Sequence, residues 1–266
     1  MITKNYIAKG EGANRFEKVP VRIYEKPSEA VKAVAREIAD LIRTNADKSE
    51  KCVLGLATGS SPIKLYEELV RMHREEGLSF KNVVSFNLDE YLPMPKESEQ
   101  SYHYFMHHHL FDHIDIDPKN IHIPDGTLEG DEIDKFCRNY EKAIEAAGGI
   151  DLQILGIGRT GHIGFNEPGS FITSQTRKVF LNDLTIKDAI KEAAKDYDLK
   201  LSDDDIAKLT SLLMKLKDAN IDWDSVINQA QDWASKLGDK INDPGFWEKL
   251  GNFFMDLWDK IKSLFS

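Results

Sequence analysis

The sequence predicts an α/β fold over its first two thirds, a Rossmann-like, doubly wound parallel sheet, followed by a small all-α domain. Short apolar runs with the length and composition of buried parallel strands alternate with amphipathic helical patterns. The composition then changes abruptly after about Lys178, because every arginine and histidine precedes this point and all four tryptophans follow it. We therefore predict two domains, residues 1–178 and residues 179–266.

The first predicted elements are two strands and two helices in alternation. After a polar lead-in, residues 19–24 have the pattern of a strand, and a helix follows with Ser28 as its N-cap and an apolar stripe that runs to residue 42. Residues 52–57 form a second, fully apolar strand. The next helix begins at Pro62, since proline suits the first turn of a helix.

The alternation continues through the middle of the chain. A third strand is predicted over residues 83–88, and a histidine-rich helix over 101–113 follows it. A short strand at 121–123, a helix at 131–147 and a buried strand at 152–157 complete the pattern. Strands that alternate with helices in this way predict a parallel sheet.

The loop after the second strand has the composition of an anion-binding turn. It consists of Thr58, Gly59, Ser60 and Ser61 and leads directly into a helix. Free backbone N–H groups and the helix dipole attract an anion at such a position, and the hydroxyls add hydrogen-bond donors. Lys64 does not lie in the register of a Walker loop. The loop is a candidate phosphate site, with an ordinary helix start as the alternative interpretation.

The glycine-rich stretch 156–168 contains candidate proton-transfer groups. Its glycines allow tight turns and a close approach of backbone to ligand, and the stretch includes His162 and Glu167. A histidine with a nearby carboxylate is typical of proton transfer near neutral pH. In open α/β sheets, ligands bind at the carboxyl ends of strands. The spacing alone leaves a glycine-rich turn with a surface histidine equally open.

Two further groups of titratable residues follow the third strand. Asp89 and Glu90 come directly after it, and acidic pairs at this position often cap the next helix. Two histidine pairs on that helix have the i,i+4 spacing of metal ligands: His103 with His107, and His109 with His113. Because the sequence supplies no third ligand, we predict a packed or solvated helix face and no metal.

Composition limits the partners and the compartment. A formal net charge of −10 argues against a nucleic-acid partner, since no basic face is available for phosphates. Cys52 and Cys137 lack the spacing of a metal site, and we predict reduced, buried thiols. The first residues contain no apolar segment, so we expect no signal peptide, no transmembrane helix and a cytoplasmic location.

Three loops together resemble the glucosamine-6-phosphate deaminase (isomerase) family. They are residues 57–62 (Ala-Thr-Gly-Ser-Ser-Pro), residues 86–91 (Phe-Asn-Leu-Asp-Glu-Tyr) and residues 156–168 (Gly-Ile-Gly-Arg-Thr-Gly-His-Ile-Gly-Phe-Asn-Glu-Pro). Residues 101–102 and 174–177 resemble the family as well, and the resemblance covers about residues 20–178. It implies conversion of glucosamine 6-phosphate and water to fructose 6-phosphate and ammonia, without a metal or organic cofactor.

The resemblance also implies a role for each matched residue. Asp89 matches the base that moves a proton between C2 and C1 of the sugar. His162 matches the group that opens the pyranose ring, with Glu167 supporting it. Contacts to the substrate phosphate are matched by Thr58, Gly59, Ser60, Ser61 and Arg177. Family members are commonly oligomers, which implies a homo-oligomer.

The chain departs from the family in two places. Thr160 stands where the family often has an aspartate. After Arg177 the family continues with further strands and a Gly-Ala-His-Lys-like segment whose lysine reaches the substrate phosphate, and the chain has none of these, so we predict a truncated sheet. A non-catalytic sugar-phosphate binder and a scaffold protein therefore stay as alternatives. A 6-phosphogluconolactonase would share the fold, but the second and third loops favour the amino-sugar enzymes.

The C-terminal segment, residues 183–266, is predicted to be helical. Thr185 with Asp188, and Ser202 with Asp205, have the spacing of a capping box in which aspartate replaces glutamate. Residues 245–265 have a strongly amphipathic pattern with an aromatic face. Such a face can bind a membrane surface, but its polar side mixes acidic residues with lysine, which favours packing onto the other tail helices or a partner chain.

Overall fold

A four-stranded parallel sheet organises the fold. The structure, a computed structural model, describes residues 20–158, 160–181, 184, 187, 190–191 and 201–218, the last seven by their backbone alone. The strands are β1 (Cys52–Leu56), β2 (Val83–Asn87), β3 (Ile121–His122) and β4 (Leu152–Gln153), in the order β3-β2-β1-β4. Because β2 and β3 lie on one side of β1 and β4 on the other, the chain reverses its winding direction, as in doubly wound sheets. The predicted α/β fold is confirmed.

The helices agree with the sequence pattern within a few residues. They are α1 (Pro27–Asp47), α2 (Ser60–Glu76), α3 (Tyr102–His109), α4 (Asp131–Ala146) and α5 (Asp203–Asp218), with 3₁₀ turns at Phe111–His113 and Pro118–Asn120. One predicted cap is wrong: α1 begins at Pro27 and has Lys26, not Ser28, at its N-cap. Proline fits this first position because its missing N–H would have no partner there.

Two predicted strands are wrong in part or entirely. Residues 20–24 form no strand, and the side chains of Val21 and Ile23 are exposed. The strand predicted for 152–157 ends at Gln153, and Leu155 and Ile157 are exposed. The reason is the length of the neighbouring strand: the Ile154 N–H still donates to the Gly55 carbonyl over 2.9 Å, but β1 ends one residue later.

The described chain divides into two compact units. Unit 1 comprises residues up to Phe86 together with Met106–His122 and Ile150–Ile154. Every residue of β1 is buried, and α1 presents Ala35, Ile38, Ala39 and Ile42 to the core. The hydroxyl of Tyr66 in α2 donates to the Ala57 carbonyl over 2.5 Å, which fixes α2 to the end of β1.

Unit 2 comprises Asn87–Phe105, Ile123–Gly149 and the chain from Leu155. The Tyr140 hydroxyl of α4 donates to the Asn87 carbonyl over 2.8 Å, and the Glu141 carboxylate accepts from both the N–H and the hydroxyl of Thr176. These buried or half-buried contacts join α4 to the loops on either side. A Cβ at Gly126 would lie 2.5 Å from the Tyr91 carbonyl, so only glycine allows these two segments to approach.

The structure also bears on the predicted thiols and on one predicted capping box. Cys52 and Cys137 are free and buried, as predicted, and burial followed by the charge of Asp151 raises the pKa of Cys52 to about 12. The capping box at the start of α5 is confirmed: the Ser202 N–H donates to Asp205 over 3.0 Å and the Asp205 N–H to the Ser202 hydroxyl over 3.2 Å.

The rest of the tail predictions lie outside the described residues. They are the Thr185–Asp188 capping box, the helices after residue 218 and the aromatic face of residues 245–265. Among the helices that the structure describes, none is long and apolar enough to cross a membrane.

Candidate active site

Residues 58–61 lie at the carboxyl end of β1, as predicted; Thr58 and Gly59 end the loop, and Ser60 and Ser61 are the first two residues of α2. Gly59 occupies the N-cap of α2 with φ of 99°, a conformation that favours glycine, and it supplies no side-chain cap to the first turn. Thr58 is half-buried, whereas Ser60 and Ser61 are exposed. Uncapped N–H groups beside hydroxyls at a helix N-terminus form an arrangement that binds anions.

The carboxylate of Asp89 is held by the glycine-rich loop of unit 2. It accepts a hydrogen bond from the backbone N–H of Phe165. The backbone of Gly164 packs so closely that a Cβ there would lie 2.9 Å from Asp89 Oδ2 and 2.5 Å from Leu88 Cδ2. The structure thus brings Asp89 to the loop that carries His162 and Glu167.

Glu90 points to a different partner, the start of helix α3. Its Oε1 accepts from the N–H groups of Tyr91 and Tyr102, and its Oε2 from the N–H of His103, each over 2.9 Å. The last two are first-turn groups of α3, which have no partner within the helix. The acidic pair is therefore divided: Glu90 caps the next helix, which is the ordinary role of such pairs, and Asp89 does not.

Both carboxyl groups of the pair titrate well above their usual range. Burial, followed by the negative charge of Glu90, raises the pKa of Asp89 to about 7, against the lowering effect of the Phe165 N–H. Burial also raises the pKa of Glu90 to about 7, although its three backbone donors lower it. A carboxyl group with a pKa near neutrality can both take and return a proton at physiological pH.

Three aromatic rings beside Asp89 were not predicted as part of the site. Tyr91, Tyr102 and Phe165 form a cluster with ring centroids 4.8 to 5.8 Å apart, and the Tyr102 hydroxyl donates to the Tyr91 hydroxyl over 3.2 Å. Phe165 is the residue whose backbone N–H binds Asp89, so its ring joins that loop to Tyr91 and Tyr102. Their sequence spacing gives no indication of this, since the rings come from three separate segments.

His162 and Glu167 are joined through a third side chain. The Thr160 hydroxyl oxygen lies 2.7 Å from His162 Nδ1 and 3.3 Å from Glu167 Oε2. The imidazole lies directly on the backbone of Gly158, where a Cβ would be 2.0 Å from its Nε2. The predicted pair is thus in one turn, but no direct His162–Glu167 hydrogen bond is among the described contacts.

Arg177, the remaining predicted phosphate contact, is exposed in unit 2. Its guanidinium donates to the Ser170 hydroxyl over 3.1 Å and to the Gln175 carbonyl over 3.4 Å. Both partners are uncharged groups, so neither compensates the positive charge of the guanidinium. An exposed arginine with neutral partners retains donors for an anionic ligand.

The histidines of α3 and of the 3₁₀ turn that follows it make hydrogen-bonding contacts with nearby polar groups. His107 Nδ1 lies 2.8 Å from an Asp112 carboxylate oxygen, and His113 Nε2 lies 2.9 Å from the His108 carbonyl oxygen. Burial, followed by the charge of His108, lowers the pKa of His109. Within the part of the chain that the structure describes, no three metal-ligating side chains come together. The absence of a metal stays a prediction.

Comparison with known proteins gives consistent results. A family model described as glucosamine-6-phosphate isomerases/6-phosphogluconolactonase matches residues 25–203. The glucosamine-6-phosphate deaminase of Thermoanaerobacter sp. (strain X514) is 47% identical over 153 residues, which are 58% of this chain and 60% of that protein. The deaminase of Porphyromonas gingivalis (strain W83) is 54% identical over 155 residues, 58% of this chain and 57% of that protein.

A solved structure shows the same similarity in three dimensions. It is that of a monomeric glucosamine-6-phosphate deaminase, with a TM-score of 0.59 and 40% identity over 64% of this chain and 68% of the other. The chain thus spans somewhat more than half the length of the two curated relatives above.

Proposed function

We propose that this chain, which belongs to the family of glucosamine-6-phosphate isomerases and 6-phosphogluconolactonases, converts glucosamine 6-phosphate and water to fructose 6-phosphate and ammonia. The main observation in support of the proposal is that Asp89 contacts the loop that contains His162. The Phe165 N–H of that loop binds Asp89, and the pKa of the carboxyl group is raised to about 7. The relatives named above support the amino-sugar substrate.

The first proposed step is the opening of the pyranose ring by His162. Ring opening requires that a proton leave the C1 hydroxyl and that another reach the ring oxygen. An imidazole can do both, because it accepts at one protonation state and donates at the other. The close packing of His162 on Gly158 restricts the ring to one position, which reduces the entropy lost in the reaction.

The second proposed step is the proton transfer by Asp89. The carboxylate takes the proton from C2 while the C1 carbonyl oxygen takes one from water, which gives an enolamine. It then returns its proton to C1 while the nitrogen gives one back to water. The resulting imine at C2 adds water and releases ammonia, which leaves the ketone of fructose 6-phosphate. A single carboxylate suits this step, since its raised pKa makes it a stronger base than an ordinary aspartate and it can return the proton from the same position.

The proposed phosphate contacts have separate support. For Thr58, Gly59, Ser60 and Ser61 it is the uncapped first turn of α2. For Arg177 it is the exposed guanidinium with neutral partners. Binding of the remote phosphate would supply free energy that orients the reacting carbons. The homo-oligomer and a protein or membrane partner of the tail stay predictions.

Ammonia release from glucosamine 6-phosphate by the purified chain tests the proposed function. We expect release that His162→Gln reduces by about 100-fold or more, since general acid–base groups contribute 10²- to 10⁴-fold. His113→Gln, on an exposed 3₁₀ turn, is the matched control and should retain activity. Hydrolysis of 6-phosphogluconolactone without ammonia release would contradict the proposal, and so would a thermal shift with the sugar phosphate but no turnover.

The charge of Glu90 gives a prediction for the pH profile. Asp89 acts as a base only when it is ionised, so activity should rise as the pH increases through its pKa. Because the charge of Glu90 raises that pKa, Glu90→Gln is expected to move the acid limb of kcat/KM to lower pH. The measurement is kcat/KM for ammonia release between pH 5 and pH 9.

The control for this variant separates charge from helix capping. The Ser101 hydroxyl accepts from the Tyr104 N–H over 2.9 Å, so Ser101→Ala weakens the start of α3 without a change of charge. The acid limb should not move in Ser101→Ala. An equal displacement in both variants would show that the order of α3, and not the charge of Glu90, sets the profile.

A further inference from the structure

Thr160 lies at the centre of the contacts around His162. Its hydroxyl oxygen is 2.7 Å from His162 Nδ1, and the hydroxyl donates to Glu167 Oε2 over 3.3 Å. All three side chains are half-buried. The turn that allows this contact contains Gly161 at φ of 82°, a backbone conformation that strongly favours glycine, so the two flanking side chains are turned towards each other.

The hydrogen inventory of the three groups determines the direction of each bond. A threonine hydroxyl has one hydrogen and two acceptor lone pairs. A carboxylate oxygen can only accept, so we assign the one hydroxyl hydrogen to Glu167, and the same oxygen then accepts from His162. The neutral imidazole must then carry its hydrogen on Nδ1, and Nε2 keeps its lone pair.

We propose that Thr160 is a positioning residue that holds His162 in the Nδ1–H tautomer, with Nε2 as the atom that exchanges the proton in ring opening. The inference rests on the proposed function only for the role of Nε2. No hydrogen bond of Nε2 to another residue is among the contacts described for the loop, and the ring edge that contains it rests on Gly158. Glu167 thus acts on the imidazole through the hydroxyl and not by direct contact.

Nitrogen NMR of the chain labelled with ¹⁵N-histidine tests the tautomer directly. The full chain is compared with Thr160→Val, which has nearly the same shape but no hydroxyl, and with Thr160→Ser. His162→Gln identifies the His162 signals. We expect the Nδ1–H tautomer in the original chain at high pH, a mixture of tautomers in Thr160→Val, and recovery of the Nδ1–H tautomer in Thr160→Ser.

Kinetics provides the second measurement. Thr160→Val should lower kcat for ammonia release by about 10- to 100-fold with little change in KM, because a misoriented base affects the chemical step more than binding. Thr160→Ser should restore most of kcat. An Nε2–H tautomer in the original chain, or an unchanged tautomer in Thr160→Val, overturns the inference. If neither the original chain nor any variant releases ammonia, the proposed function fails. The NMR result then tests the positioning role of Thr160 by itself.

Discussion

Asp89→Asn is expected to abolish most ammonia release while leaving the fold intact. Asparagine has almost the same shape as aspartate, and its carbonyl can still accept the Phe165 N–H that binds Asp89. It cannot take a proton from C2, so we expect kcat to fall by about 10²- to 10⁴-fold. The exposed Asp131, at the start of α4, supplies the control variant Asp131→Asn, which should retain full activity.

The same substitution is expected to stabilise the folded chain at high pH. The pKa of Asp89 is about 7 in the folded chain, above its value in the unfolded chain, so the folded state binds the proton more tightly. Its free energy of unfolding therefore decreases as the pH rises from about 4 to about 7. Asparagine has no charge to bury, and Asp89→Asn should gain up to about 4 kcal/mol at pH 8, from 1.36 kcal/mol per pKa unit.

Urea unfolding at pH 4.5 and pH 8 measures this gain. The two proteins should differ by about 1 kcal/mol at the lower pH, where Asp89 is protonated in the folded chain but largely ionised in the unfolded chain, and by up to about 4 kcal/mol at the higher pH. A variant that is less stable at both values would show that the carboxylate holds the loop together. A residue that lowers stability and supports turnover is typical of an active site.

Elements buried on all sides were the most predictable from the sequence. Every residue of β1 and β2 is buried, so their pattern does not depend on which neighbour covers them; β1 has no polar side chain, and β2 includes the buried Ser85 and Asn87. Residues 20–24 and 155–157 also contain large apolar side chains but lie beyond the reach of the described ladders. A strand needs a hydrogen-bonding partner along its whole length, and the sequence of one segment does not state how far its neighbour extends.

The candidate site could be proposed from its residues but not from its contacts. The loops of Asp89 and His162 could be identified because their residue types and order are specific. The division of the acidic pair depends on the start of α3, twelve residues beyond Glu90, and on the Phe165 N–H. The bridge of Thr160 depends on the backbone at Gly161. The first is decided by chain segments that meet only after folding, and the second by the backbone conformation of a single turn.

Gly164→Ala is expected to impair both stability and turnover. At φ of 56° an alanine costs about 1–2 kcal/mol more than glycine. In addition, its Cβ would lie 2.5 Å from Leu88 Cδ2 and 2.9 Å from Asp89 Oδ2, so these side chains or the loop must move. We expect a total loss of about 2–5 kcal/mol in the free energy of unfolding, since overpacking adds about 1–3 kcal/mol.

The effect on turnover follows from the displacement of Asp89. A shift of about 1 Å in a catalytic group can lower the rate by about 100-fold, and we expect a fall of this size in kcat. Gly77→Ala is the matched control: Gly77 caps the end of α2 at a similar φ of 66°, but no atom lies within 4 Å of its added Cβ. Gly77→Ala should therefore lose about 1–2 kcal/mol of stability and retain its rate. Equal rates in the two variants would mean that the contact of Gly164 with Asp89 does not position the base, because backbone strain is the only change that the variants share.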